Sequence, residues 1–230
     1  MRRKLLAEMV GTFALVFAGT GAIIINDISG GAVSHVGVAL TFGLVVMAMI
    51  YALGDVSGAH MNPAVSIGFL LARRVGARQA LQYIASQCAG ALLASLVLRV
   101  MFRTHPTLGA TLPAGSAAQS AVLEVVLTMI LMFVILSVSA GSKERGFMAG
   151  AAIGAVVGLE ALFAGPISGA SMNPARSLAP ALMSGHAESL WVYLISPVLG
   201  ATAAVPLCRQ VHRNGCCEAP IDEKQSIAGA

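Results

Sequence analysis

Ser57-Gly58-Ala59-His60-Met61-Asn62-Pro63-Ala64 returns 111 residues later as Ser168-Gly169-Ala170-Ser171-Met172-Asn173-Pro174-Ala175, with seven of eight residues unchanged. Chance does not repeat an octapeptide in this way. Within each copy, Asn is a favoured N-cap and Pro a favoured first helical residue, because its missing N–H is one that would be orphaned anyway. Each motif therefore starts a helix. The apolar pieces that follow, 62–72 and 173–183, are each 11 residues long. At about 1.5 Å per residue, such a piece reaches only about half of a bilayer's hydrocarbon thickness.

A bilayer is the right yardstick. Of the 230 residues, 57% are hydrophobic and only 10% charged, whereas soluble domains carry about 25% charged residues. The stretches 36–54, 80–98 and 190–208 are each 19 residues without Lys, Arg, Asp or Glu, the length a membrane-crossing helix requires. This composition excludes a soluble fold. The net charge of +4 does not indicate nucleic acid, since the basic residues form short clusters between apolar spans with no aromatic interleaving. Cys88, Cys208, Cys216 and Cys217 show no spacing of an extracellular disulfide framework, and Cys216 and Cys217 read as inert tail. The basic start Met1-Arg2-Arg3-Lys4 precedes an apolar stretch that runs to about Ile25 and contains Glu8, so it reads as a retained first span and not as a cleaved leader.

Hydropathy and charge breaks predict six full spans at about 5–25, 36–54, 80–100, 121–140, 147–164 and 189–208. Eleven Lys and Arg fall on one side (Arg2, Arg3, Lys4, Arg73, Arg74, Arg78, Lys143, Arg145, Arg209, Arg213, Lys224) and two on the other (Arg99, Arg103). Both termini are thus expected in the cytoplasm. A second echo, Glu8-x-Val10-x-Thr12 against Glu124-x-Val126-x-Thr128, extends the repeat to each half of the chain. We read 1–208 as one domain of two repeats, about 1–110 and 111–208, followed by a cytoplasmic tail, 209–230. Three spans per half, an odd number, invert one repeat relative to the other, as in membrane proteins that build a pathway at the midplane. The fold class is all-α: six transmembrane helices and two re-entrant half-helices.

Half-helices entering from opposite faces bring Asn62 and Asn173 together near the bilayer centre, with both positive helix ends pointing there, a field that repels cations. Each Asn NH2 is expected to donate to a passing oxygen. The small residues ahead of each Asn suit extended backbone lining a wet cavity, which makes Gly58, Ala59, His60, Ser168, Gly169 and Ser171 candidate pore-lining backbone. Arg176 follows Asn173 by three residues, where the first half has Val65; a permanent charge in an apolar piece must face water or a partner. Glu8 and Glu124, at matching places, are read as acceptors bracing the N–H groups of the two loops, and Glu160 as a further brace of the outer loop. The stripe Gly150-x-x-x-Gly154-x-x-x-Gly158 is a close-packing surface. No metal-ligand spacing, nucleophile-base pair, phosphate loop or cofactor motif is present, so neither an enzyme nor a cofactor is expected.

Six spans, two Asn-Pro-Ala half-helices, an Arg after the second, and Glu in spans one and four resemble the aquaporin and aquaglyceroporin family over about 5–208. The resemblance implies a right-handed bundle, a homotetramer with a pore in each subunit, and an outer selectivity constriction formed here by Phe42, Ala161, Ala170 and Arg176. Water-specific members usually carry His at the place of Ala161; two alanines imply a wider opening. The stretch from Phe163 to Ser177 is similar to the plant nodulin-like subgroup and its bacterial relatives, which implies small neutral solutes: metalloid hydroxides such as boric, silicic or arsenous acid, and glycerol. The second constriction aromatic of glycerol facilitators is absent here, which weighs against glycerol as the main cargo.

The expected function is therefore a passive channel for water and small uncharged solutes that excludes ions and protons. The alternatives are a strictly water-selective channel and an ion-coupled secondary transporter. The latter needs carboxylates beside the Asn-Pro-Ala motifs, and none lies there. Short loops favour a bacterial cytoplasmic membrane.

Overall fold

A computed structural model describes residues 1–139 and 143–212, and their side chains except those of 143–147. The part of the expected tail from residue 213 on, with Cys216 and Cys217, lies outside the described residues. The described chain is all helical: α1 (Arg2–Ile28), α2 (Ser34–Ser57), α3 (Pro63–Leu71), α4 (Ala77–Met101), α5 (Ala117–Val138), α6 (Lys143–Ser168), α7 (Pro174–Ser184) and α8 (Leu190–Val211). Six are long and apolar enough to cross a membrane, and each runs beyond at least one end of its expected span. The overshoot has a physical reason. Backbone hydrogen bonds continue past the hydrocarbon edge, so polar and charged residues such as Arg2, Lys4, Asp27 and Asp55 extend helices that hydropathy alone would end.

The order long, long, short, long runs twice. α1 packs on α2 and α4, and α5 packs on α6 and α8; the halves meet through α2 on α6, α3 on α8 and α4 on α7. Helices outside water gain little from hydrophobic burial, so close approach depends on small residues. A Cβ on Gly90 of α4 would overlap the Met9 carbonyl of α1, and at the corresponding place a Cβ on Gly200 of α8 would overlap the Val125 carbonyl of α5. Between the halves, a Cβ on Gly43 would come within 2.7 Å of the Gly154 carbonyl oxygen, and a Cβ on Gly154 within 2.6 Å of that of Gly43. The glycine stripe of α6 is thus spent on α2. Leu40, Leu81, Val122, Ile195 and Leu199 point outward and are exposed, the surface a hydrocarbon surround calls for.

Gly200→Val is expected to separate α5 from α8 and destabilise the bundle by about 1–3 kcal/mol, as overpacking does. Gly54→Ala, where an added methyl meets open space, should leave stability unchanged or raise it by up to about 1 kcal/mol through helix propensity. Thermal melting of both variants in one detergent checks the contrast.

Candidate functional site

The short helices begin as their sequences dictate. Asn62 caps α3 from an extended conformation, its Oδ1 accepting the Ala64 N–H at 2.9 Å, and Pro63 takes the first helical position. Asn173 caps α7, accepting from the N–H groups of Ala175 at 3.0 Å and Arg176 at 3.3 Å, with Pro174 first. The two Asn then reach across to the opposite loop. Asn62 Nδ2 donates to the Met172 carbonyl at 2.7 Å, and Asn173 Nδ2 donates to the Met61 carbonyl at 2.9 Å. One N–H of each Asn thus joins the half-helices tip to tip, so only part of each NH2 is left to donate to a passing oxygen. The second remains for the cavity that both Asn line.

The loops ahead of each Asn are not the extended backbone that small residues suggest. Gly58, Ala59 and Met61 lie at φ +89°, +47° and +50°, and Gly169, Ala170 and Met172 at +84°, +40° and +54°. Non-glycine residues held there cost about 1–3 kcal/mol each and persist only where the surroundings over-determine them. The surroundings here are carboxylates. Glu8, fully buried on α1, accepts through Oε1 from the Ser57 hydroxyl at 2.7 Å and the His60 N–H at 2.9 Å, and through Oε2 from the Met61 N–H and Gln87 Nε2, both at 2.7 Å. Glu124, fully buried on α5, accepts from the Ser168 hydroxyl, the Ser171 N–H and the Met172 N–H, all at 2.8 Å. Glu160 makes no such bond. It is buried, and neither carboxyl oxygen has a hydrogen-bond partner among the described residues, so it does not brace the outer loop.

Tyr83 and Tyr193, 110 residues apart, went unrecognised in the sequence. Their hydroxyls donate to the carbonyls of Ser57 at 2.8 Å and Ser168 at 2.7 Å, where the long helices give way to the loops. An offset of 110, one residue short of the octapeptide's 111, was the signal that could have found them. The same offset puts Pro197 at the place of Gln87, so Glu124 lacks the side-chain amide that Glu8 receives.

A cavity of about 740 Å³ runs along the axis, from Tyr51, Asp55 and Ser139 past both Asn to Phe42, Ala161, Ala170 and Arg176. Of the candidate lining backbone, Gly58, Ala59, His60 and Ser171 border it. Ser168 and Gly169 do not: Ser168 closes α6 with its hydroxyl and carbonyl already bonded, and a Cβ on Gly169 would lie 3.0 Å from Thr111 instead. Leu15, Val46, Val65, Leu131 and Ile153 give the wall an apolar side.

Phe42, Ala161, Ala170 and Arg176 all border this cavity. Arg176 is 2% exposed; its guanidinium carbon lies 5.1 Å above the Phe42 ring, and Nη1 donates to the Gly109 carbonyl at 2.9 Å. Phe42 in turn rests on Gly19 of α1, where any Cβ would overlap the ring. Among the described residues no group of three His, Cys, Asp or Glu is placed to hold a metal. Chemically the arrangement offers amide and guanidinium donors along one side of an apolar tube, beneath two helix ends that each carry roughly half a positive charge.

Comparison with known proteins agrees with this geometry. A family model, Major intrinsic protein, matches residues 1–207. Aquaporin NIP1-1 of Oryza sativa subsp. japonica is 51% identical over 202 residues, covering 87% of this chain and 71% of that protein. Putative aquaporin NIP4-1 of Arabidopsis thaliana is 47% identical over 201 residues, with the same coverage. Among solved structures, an aquaglyceroporin from Plasmodium falciparum superimposes with a TM-score of 0.82 at 24% identity, over 91% of this chain and 96% of that one, a likeness of fold.

A glutamine at position 124 offers one acceptor oxygen and an NH2 where three donors converge. Glu124→Gln should therefore lower stability by about 1.5–3 kcal/mol, the scale of a hydrogen bond to a charged group. Glu160→Gln, which breaks no bond, should cost less; equal melting losses in the two variants would contradict the bracing geometry.

Proposed function

The chain belongs to the major intrinsic protein family, and on that premise we propose that it is a passive pore carrying water and small uncharged solutes across a membrane while holding back ions and protons. The observation that carries this reading is the cavity that passes both Asn-Pro-Ala tips and ends beneath Phe42, Ala161, Ala170 and Arg176. A hydroxylated solute finds donors in the free N–H of Asn62 and of Asn173 and in the Arg176 guanidinium, and apolar contact on the facing wall. A cation meets the two positive helix ends and Arg176 where Glu8 and Glu124 are spent on loop N–H groups, and the carboxylate on the cavity wall, Asp55, lies toward the other end.

The four residues at the narrow end act as the selectivity constriction, with Arg176 as donor and electrostatic barrier, Phe42 as one wall, and Ala161 and Ala170 leaving width. That width favours metalloid hydroxides such as boric, silicic or arsenous acid over strict water selectivity, and leaves glycerol as a further substrate. Residues 1–208 form the channel domain from repeats 1–110 and 111–208, with 209–230 as its tail. The protein is placed as a homotetramer in a cell membrane with both termini cytoplasmic, on the family resemblance and the eleven-to-two distribution of Lys and Arg. The relatives named above are plant proteins, so the bacterial origin expected from the short loops gains no support from them.

Proteoliposomes carrying the protein should reswell by boric acid or glycerol entry well above empty vesicles, linearly with gradient and without response to ionophores, while also passing water. Saturable, ion-coupled uptake would overturn the channel reading; fast water with no solute entry would make the pore water-selective. Ala161→His should lower solute permeability by at least about tenfold, the scale that added bulk sets in a close-fitting site, and lower water permeability less. Arg176→Ala should raise cation and proton leakage, read with a trapped pH dye.

A further inference from the structure

The guanidinium of Arg176 is held by a group outside every helix. Among the described residues its Nε has no hydrogen-bond partner, and its Nη1 donates to the carbonyl of Gly109, which sits in the segment 102–116 joining α4 to α5. The direction of that carbonyl is not free. Leu108 and Gly109 are consecutive left-handed residues, at φ +51° and +70°, and a leucine in that region needs its neighbours to keep it there. Its side chain is fully buried with Ile24 and Leu98. Its N–H donates to Nδ1 of His105 at 3.0 Å.

His105 is therefore an acceptor for the turn 107–110 that carries the Arg176 tether. Because Nδ1 accepts, the ring proton lies on Nε2, which faces Oδ2 of Asp27 at 3.3 Å; the His105 side chain is 4% exposed and that of Asp27 51%. Asp27 belongs to the last turn of α1, so its position is set by the bundle and not by the segment itself. The other charged group packed here is Arg99 of α4, whose guanidinium donates to the carbonyls of Arg103, His105 and Met183 and so holds the backbone of the same turn against the end of α7. Further along, the Thr111 hydroxyl donates to Ser177 at 2.7 Å and the Ala114 N–H to the Ile167 carbonyl at 2.9 Å, which pins the far side of Gly109. The near side rests on two bonds, from the Leu108 N–H to His105 and from the Ala110 N–H to the Thr107 carbonyl, both at 3.0 Å.

We propose that Asp27 and His105 are positioning residues for the selectivity constriction: the Asp27 carboxylate fixes the His105 ring, the ring fixes the Leu108 peptide, and the Gly109 carbonyl then fixes Arg176. This rests on the reading of Arg176 as the constriction donor. Without Asp27 the ring loses the partner that selects its tautomer, and the Leu108 N–H loses an assured acceptor. The turn that aims the Gly109 carbonyl is then held on its near side by the Ala110-to-Thr107 bond alone, and the register of that carbonyl on the guanidinium loosens. A solute with several hydroxyls needs the Arg176 donors in fixed register, whereas water does not. The signature is accordingly a fall in the ratio of solute to water permeability.

The experiment measures boric acid and water permeability in the same proteoliposomes for the parent, Asp27→Ala, His105→Ala, His105→Asn and Arg176→Ala. Asp27→Ala and His105→Ala should lower the ratio by about two- to tenfold, the span that one net hydrogen bond covers. His105→Asn, whose amide oxygen still accepts the Leu108 N–H, should stay closer to the parent than His105→Ala. A merely structural role would scale both permeabilities with the amount of folded protein and leave the ratio alone. Since Asp27 is half exposed, its variant guards against a His105→Ala that fails to fold. A ratio at or above the parental value in Asp27→Ala, with Arg176→Ala shifted, overturns the latch alone; an unshifted Arg176→Ala overturns the constriction reading on which it rests.

Discussion

Backbone N–H groups at membrane depth find no water to bond, and each one left unsatisfied costs several kcal/mol. The loops 57–62 and 168–173 break the helical ladder in the middle of the bundle, and the architecture follows from how their N–H groups are answered. Ser57 and Ser168 turn their hydroxyls to the Glu8 and Glu124 carboxylates, which also take the N–H groups of His60, Met61, Ser171 and Met172. Asn62 and Asn173 take the first N–H groups of α3 and α7. The left-handed residues that aim the carbonyls are tolerable because these bonds hold them.

The allocation of hydrogen bonds also decides what is left for a solute. The carbonyls of Ser57 and Ser168 are used by Tyr83 and Tyr193, and those of Met61 and Met172 by the crossed Asn amides. Beside the second N–H of each Asn and the guanidinium of Arg176, the cavity is bordered by the backbone of Gly58, Ala59 and Ala170 and by the polar side chains of Asp55, His60 and Ser171. Scattered polar groups on a wall that also carries Leu15, Val46, Val65, Leu131 and Ile153 orient a neutral hydroxylated molecule without gripping it, which suits passage better than retention. Glu8 and Glu124 face the loops from behind, and Asp55 borders the cavity away from Arg176.

The two halves share this framework and depart from it where one end of the cavity must differ from the other. Arg176 stands where the first half has Val65, Ser171 where it has His60, and Pro197 where it has Gln87. The His60 ring bonds Ser66 at 3.0 Å and lies against Phe69 and Tyr83, filling space, while Ser171, bonded to Ser177, leaves room beside the narrow end. The segment 102–116 supplies the Gly109 carbonyl that Arg176 bonds, so the surroundings of Arg176 draw on α2, α7 and a loop that carries no helix.

Local chemistry made much of this legible in the sequence. Hydropathy and length fixed the six spans, Asn-Pro-Ala fixed where the half-helices start, the octapeptide repeat implied that they meet, and the paired Glu residues stood out because a charge in an apolar span needs a reason. Tertiary structure decided the rest, because the remaining contacts join residues far apart in sequence. Proximity of Asn62 to Met172, of Arg176 to Gly109, and of Gly43 to Gly154 has no local signal. The unpartnered carboxyl of Glu160 and the bonded Ser168 could not be told apart from loop braces and pore lining by residue type alone. A sequence states which groups must be satisfied; only packing in three dimensions states by which partner, and hence which donors are left facing the cavity.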